Sequence, residues 1–182
     1  MLQLERHEAT VRNVNQRIQK HGKDRVLAGD LAIACTAPNT ILETIEPGLR
    51  QSLFRKQVKG DQLDFDHEQK ARAAQIIDGL VAVRHPGLSP VAVSHKFTGY
   101  ELTIEDTYDD STVEPIVLVD ATLKKLTIQP LEGGSVVLGF VISAELTTDE
   151  IAELADALVR ENIRITLTPP RAQSQQQDDL AA

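Results

Sequence analysis

Aromatic residues and cysteine are scarce in this chain. It has no tryptophan, two tyrosines, four phenylalanines and one cysteine among 182 residues. The core must therefore be built from Val, Leu, Ile and Ala, and no internal disulfide can form. Cys35 lies in the apolar segment 31–37, with no histidine close to it in sequence. We interpret it as a buried thiol that acts as a small hydrophobe, as expected in a reducing compartment.

Long apolar runs are also missing. No segment approaches the roughly 20 consecutive apolar residues that span a bilayer. The N-terminal segment MLQLERHEAT carries charges where a signal peptide needs an apolar stretch. We therefore expect a cytoplasmic protein without a membrane partner.

Basic residues are outnumbered, with 19 Lys and Arg against 27 Asp and Glu and a net charge of −8. This balance opposes nonspecific binding to nucleic acid, because such binding depends on cations that neutralise phosphates. A local basic stretch nevertheless occurs near the start of the chain, and we interpret it first as a solvated strand face. Its members are Arg6, Arg12, Arg17, Lys20, Lys23 and Arg25.

The sequence contains no recognisable catalytic or metal-binding motif. The five histidines fall in separate segments, without an HxH or HExxH pair. The acidic segments 61–66 and 106–114 lack the ligand spacing of a calcium loop. The pair Gly133-Gly134 is not followed by the Lys-Ser/Thr of a phosphate loop, and no GxSxG motif occurs. We therefore expect no enzymatic activity, catalytic residue, metal or cofactor.

Hydrophobic alternation predicts an α+β fold made mainly of antiparallel β-sheet, in sandwich-like hairpins with two or three short helices. Residues 1–168 form the predicted single domain. Residues 169–182 contain one large apolar residue and are rich in glutamine with acidic residues near the end. Such a composition cannot offset the entropy of ordering, so we expect a disordered tail.

Two hairpins are predicted. The first turns at His21–Asp24, and the second turns between Pro130 and Gly134. On the second, the alternation slips by one residue at Lys124-Lys125, which predicts a β-bulge with both lysines in solvent. Val137 and Val141 make both faces of the return strand apolar, which predicts a central strand.

Helices are predicted by their caps and spacing. Thr147 and Glu150 form a capping box that begins a helix ending near Asn162. A short helix capped by Asn39 or Thr40 is predicted to continue after Pro47-Gly48 to about Lys56. Apolar residues at spacings of three, up to Ile77, predict a helix over 67–78.

One cluster combines aromatic and basic side chains, as proteins that bind single-stranded nucleic acid do. It contains Lys96, Phe97 and Tyr100. Packing at the end of a hairpin is the alternative explanation. Together with the early basic residues Arg12, Arg17 and Lys20, this cluster forms the set of possible nucleic-acid contacts.

The two hairpin blocks, VRNVNQRIQKHGKDRVLAGDLAIACTAPN and VEPIVLVDATLKKLTIQPLEGGSVVLGFVIS, carry a family resemblance. The chain resembles uncharacterised conserved proteins of tailed phages and prophages of proteobacteria. The resemblance implies an accessory protein in the host cytoplasm that acts in DNA metabolism or against a host defence.

Three functions follow as hypotheses. The first is a non-enzymatic accessory protein that binds another protein, either a second copy of itself in a homodimer or a host protein, through an exposed strand edge. The second is a single-stranded-DNA-binding or recombination accessory protein. The third is a minor component of the virion.

Overall fold

The computed structural model describes residues 1–58, 67–74, 76–88, 90–106, 114–159 and 163–170. The predicted tail, 169–182, lies outside these residues from 171 onward, and so do residues 59–66 and 107–113. The β-strands are β1 (Leu4–His21), β2 (Asp24–Pro38), β3 (Phe54–Lys56), β4 (Leu80–Val83), β5 (Val91–Val93), β6 (Phe97–Asp106), β7 (Ile116–Leu131), β8 (Ser135–Glu145) and β9 (Ile163–Thr168). The α-helices are α1 (Leu42–Ile45), α2 (Leu49–Leu53), α3 (His67–Ala74) and α4 (Thr148–Val159).

Six of the strands close into an antiparallel β-barrel. Around the barrel the order is β7, β6, β9, β1, β2 and β8, and β8 pairs again with β7. β5 adds a short strand to β7, and β3 pairs with β4 in a separate two-stranded sheet. The expected α+β, sandwich-like arrangement is therefore wrong, because β7 pairs with both β6 and β8 and so joins hairpins that a sandwich would keep in two sheets.

Bulges bend the long strands enough for the barrel to close. Register shifts interrupt β1 beside Arg6, β7 beside Asp120 and β7 again beside Lys125. Among the residues that the structure describes, these three are also the non-glycine residues with positive φ, at 42°, 50° and 54°. A bulge adds one residue to a strand and increases its local twist, and closure of a barrel requires tilted, staggered strands.

The bulge predicted at Lys124-Lys125 is confirmed. Leu123 and Leu126 are both fully buried on either side of it. The predicted exposure holds for Lys125 only, because Lys124 is partly buried and its Nζ lies 2.9 Å from an Asp30 oxygen.

Side chains fill the barrel, as expected for a narrow one. The interior residues alternate along their strands and have no exposed surface; they include Leu31, Leu102, Leu123, Leu126, Ile128, Leu138, Ile142, Ile165 and Leu167. α4 connects the end of β8 to the start of β9 and packs against β1 and β7, where it buries Leu154. Its predicted capping box is confirmed, since the Thr147 and Glu150 N–H groups donate to Glu150 Oε2 and Thr147 Oγ1.

Residues between β2 and β5 cover another part of the core with short elements. The helix predicted to reach Lys56 ends at Leu53, because Phe54 begins β3 and pairs with Val83. The helix predicted over 67–78 ends at Ala74, and Ile76 rather than Ile77 is buried.

Asn39 does not cap a helix. It is fully buried, its Nδ2 donates to the Leu80 carbonyl at 2.7 Å, and its Oδ1 accepts from Arg50 Nε at 2.8 Å.

Candidate functional site

The hairpin of β1 and β2 extends past the strands that flank it. β1 pairs with β9 only from Leu4 to Ala9, whereas it pairs with β2 as far as His21. On the other side of the hairpin, β2 pairs with β8 from Ala28 onward. We call residues 11–27 the arm. Among the strands that the structure describes, none pairs with the outer side of β1 along the arm.

The direction of the backbone groups on this edge follows from one hydrogen bond. The Leu146 N–H donates to the Leu27 carbonyl at 2.9 Å, on the side of β2 that faces away from β1. Leu27 lies opposite Ile18 in the register. In an antiparallel ladder, hydrogen-bonded and non-hydrogen-bonded pairs alternate. Ile18 therefore belongs to a non-hydrogen-bonded pair, and its backbone N–H and C=O point to the open edge, as do those of Val14, Gln16 and Lys20.

One face of the arm continues the barrel core outward. Val14 lies opposite the buried Leu31 and is itself partly buried against the core. Two residue pairs further on, Ile18 lies opposite the half-buried Leu27, and 63% of its surface is exposed. The same apolar stripe is therefore covered at Val14 and open to solvent at Ile18.

The opposite face carries an ion-pair network that joins the arm to the barrel. Asp30 lies at its centre and accepts from Arg17 Nε at 3.3 Å, from Lys124 Nζ at 2.9 Å and from the Ser143 hydroxyl. Arg17 also donates to Gln19 Oε1 at 2.9 Å. The network crosses β1, β2, β8 and β7, so it fixes the position of the arm relative to three strands of the barrel.

Asp30 remains charged to a lower pH than an ordinary carboxyl. Burial raises its pKa, but hydrogen bonds from Ser143, Lys124 and Arg17 and the charge of Lys124 lower it by more. A carboxyl whose pKa is lowered by folding stabilises the fold above its unfolded pKa, and this contribution is lost as pH falls through the folded pKa.

We therefore expect the free energy of unfolding of Asp30→Asn to fall less steeply than that of wild type as the pH is lowered into the acid range. The stability difference between wild type and Asp30→Asn should be largest at neutral pH and should shrink below about pH 4, the unfolded pKa of aspartate. Urea unfolding at a series of pH values measures this difference. Parallel curves for the two proteins would show that Asp30 gains nothing from its neighbours.

A groove of about 590 Å³ lies beside this network. Its walls come from the arm, the start of α4, the ends of β7 and β8, and the segment that leads into β6. Its charges are balanced rather than of one sign, and its apolar surface includes the exposed Val117 and Val119. The charged lining residues are Arg17, Lys96, Lys124, Asp120, Glu145 and Glu150.

The structure brings together two of the residues proposed to contact nucleic acid and separates the others. Arg17 and Lys96 line the same groove, whereas Arg12 and Lys20 are exposed elsewhere on the arm. Tyr100 is fully buried, and its hydroxyl donates to the Leu2 carbonyl at 3.1 Å. Phe97 is half-buried against the core. Tyr100 therefore offers no ring face on which a base could stack.

Cys35 is buried, and burial raises its pKa to about 12, as the interpretation of an inert thiol requires. Within the ranges that the structure describes, no group of three or more His, Cys, Asp or Glu residues could hold a metal ion. No helix within those ranges is long and apolar enough to span a membrane.

Sequence reasoning missed Asp30 and Ser143. Asp30 is a lone charge inside the run VLAGDLAIA, and a charge in such a strand signals a paired position, because an unpaired buried charge is costly. Ser143 gave no comparable signal.

No protein-family model, curated protein or solved structure matches the chain.

Proposed function

We propose that this chain is a non-enzymatic accessory protein that binds another protein. It does so by adding an extended segment of its partner to the open edge of β1. The resemblance to phage proteins supports a phage-encoded protein in the host cytoplasm, with a partner in host defence or in replication and recombination. The observation that carries the proposal is the length of β1 that continues beyond β9.

Edge strands bind other chains because their backbone groups lack a neighbour in the sheet. Barrel closure normally removes such edges, and natural proteins shorten or cover those that remain. Within the described residues, no strand pairs with the outer side of β1 from Val11 to His21, a length of roughly 35 Å at about 3.3 Å per residue. Main-chain hydrogen bonds along such an edge supply affinity, and side chains at alternate positions supply specificity.

The proposal predicts that Gln16→Pro abolishes binding while leaving the fold intact. Proline removes the Gln16 N–H, which points to the open edge, so the ladder with β2 keeps its hydrogen bonds. Wild type, Gln16→Pro and the control Gln16→Ala are immobilised and exposed to host lysate, and thermal melting of each is recorded. We expect the same proteins to bind wild type and Gln16→Ala, and none of them to bind Gln16→Pro.

Two results would contradict this. Equal capture by all three proteins would place binding away from the edge. If wild type captures nothing and sedimentation shows a strict monomer, protein binding itself is refuted.

A second candidate function is binding of single-stranded DNA. It is supported by the position of Arg17 and Lys96 in one groove. Titration of a labelled oligonucleotide at low and high salt tests it, because a site that neutralises phosphates weakens steeply as salt rises. Absence of binding at low salt excludes this function. A virion role, the third hypothesis, is tested by mass spectrometry of purified particles.

A further inference from the structure

We infer that the segment received by β1 is an acidic extended peptide that places an apolar side chain opposite Ile18. This inference rests on the proposed function and names its partner class. The charge of the edge carries it. From Thr10 to Lys23 the chain has no Asp or Glu but four cations, whereas its net charge is −8. The edge is therefore positive on a negative protein.

These cations are available to a partner to different degrees. Arg17 is held by Asp30 at 3.3 Å. Arg12, Lys20 and Lys23 are exposed, and in the part of the chain that the structure describes they form no ion pair. Opposite charges on neighbouring strands attract at the spacing of cross-strand pairs. An added strand can therefore place a carboxylate opposite Lys20, close to Lys23 in the turn of the hairpin, and another near Arg12, which lies at the register shift between Val11 and Asn13.

The apolar requirement comes from the register. Val14 and Ile18 lie on the same face because strand residues two and four apart share a face. Ile18 is 63% exposed there, so an added strand with an apolar residue at that position would extend the covered stripe. The peptide is thus acidic at several positions and apolar at the one opposite Ile18.

A second copy of the chain is a poorer occupant of this edge. Pairing of two such edges would align residues 11–21, whose charged side chains are all cations, with the same residues of the second copy, and like charges on neighbouring strands destabilise a sheet. Nucleic acid is also disfavoured. Arg17 and Lys20 lie on opposite faces of β1, and Tyr100 is buried, so the edge lacks the continuous basic groove with stacking aromatics that single strands require.

Three synthetic peptides test the inference on the full chain. They share one apolar residue, placed opposite Ile18, and carry Glu, Ser or Lys at the positions beside Lys20 and Arg12. Binding is measured by fluorescence anisotropy at about 0.05 M and about 0.5 M salt, where charge interactions are weakly and strongly screened. We expect the Glu peptide to bind about tenfold more tightly than the Ser peptide at low salt, a ratio that falls towards one at high salt. The Lys peptide should bind most weakly, and Gln16→Pro should bind none.

Charge reversal on the arm gives the matched control. Lys20→Glu with Lys23→Glu should lose about tenfold in affinity for the Glu peptide and keep its affinity for the Ser peptide. Lys56→Glu with Lys70→Glu makes the same change in net charge on exposed residues outside the arm and should change neither affinity.

The remaining outcomes distinguish failure of the acidic-peptide inference from failure of the proposed protein-binding function. Equal binding of all three peptides, lost in Gln16→Pro, overturns the acidic partner and keeps the protein-binding function. Failure of every peptide overturns the inference, and lysate capture then decides the function separately. A wild-type dimer that Gln16→Pro converts to monomer assigns the edge to a second copy. Binding of an oligonucleotide, lost in Lys20→Glu with Lys23→Glu, assigns it to nucleic acid.

Discussion

Deletion of Lys125 is expected to lower the free energy of unfolding by about 3–6 kcal/mol. Lys125 is the extra residue of the β7 bulge, with φ of 54° and a register shift beside it. Without it, the side chains that follow invert, because a one-residue slip exchanges the two faces of a strand. Leu126 and Ile128, both fully buried, would then face solvent at about 1.5–3 kcal/mol each.

The loss is large compared with a typical total stability of about 5–15 kcal/mol, so the deleted protein should be mostly unfolded or melt at a much lower temperature. Lys125→Gly is the control, because glycine adopts a positive φ freely and keeps the residue count. We expect the free energy of unfolding of Lys125→Gly, measured in urea, to lie within about 1 kcal/mol of the wild-type value. A deletion variant with an unchanged midpoint would show that the strand tolerates the slip.

Asn39→Ala is expected to lower the free energy of unfolding by about 2–6 kcal/mol. Asn39 has no exposed surface, and it joins Arg50 to the Leu80 carbonyl. Alanine leaves that carbonyl and the Arg50 Nε–H without their contacts, and each buried polar group left unsatisfied costs about 1–3 kcal/mol.

Asp78→Asn serves as the comparison at the same network. Asp78 contacts Arg50 at 2.7 Å, and the two side chains are 45% and 10% exposed; asparagine keeps an oxygen that accepts from Arg50, so we expect a loss of about 1 kcal/mol. Urea unfolding should therefore rank Asn39→Ala well below Asp78→Asn in stability. Equal stabilities would mean that water or Arg50 itself compensates for the missing amide.

Local sequence patterns were sufficient to predict some of the secondary-structure elements, but they were not sufficient to predict the barrel. The slip at Lys124-Lys125 and the capping box at Thr147 each involve residues close in sequence, and both predictions are confirmed. Closure depends instead on β9 pairing with β1 and β6, which lie far from it in sequence. The bends at Arg6 and Asp120 carry no glycine, so nothing in the sequence marked those two bulges.

For the same reason, only part of the candidate site could be predicted from the sequence. The hairpin that forms the arm and its basic residues were predicted from the sequence. An exposed strand edge was also proposed from the sequence, as a hypothesis. Which part of β1 stays open depends on where β9 ends beside it, at Ala9 and Ile163. Tyr100 and Lys96 were grouped by proximity in sequence, but Tyr100 turns into the core while Lys96 lines the groove.

The pairing of β1 with β9 also sets an order of assembly. Ala9 lies beside Ile163, so nearly the whole described chain must leave the ribosome before the barrel can close. Contacts so distant in sequence slow folding, because the chain loses loop entropy before they form. During synthesis β1 can pair with β2 at once, yet its flank from Leu4 to Ala9 stays open until β9 emerges. The nascent protein therefore has a longer unpaired β1 edge than the folded one, and pairing with β9 shortens that edge to residues 11–21.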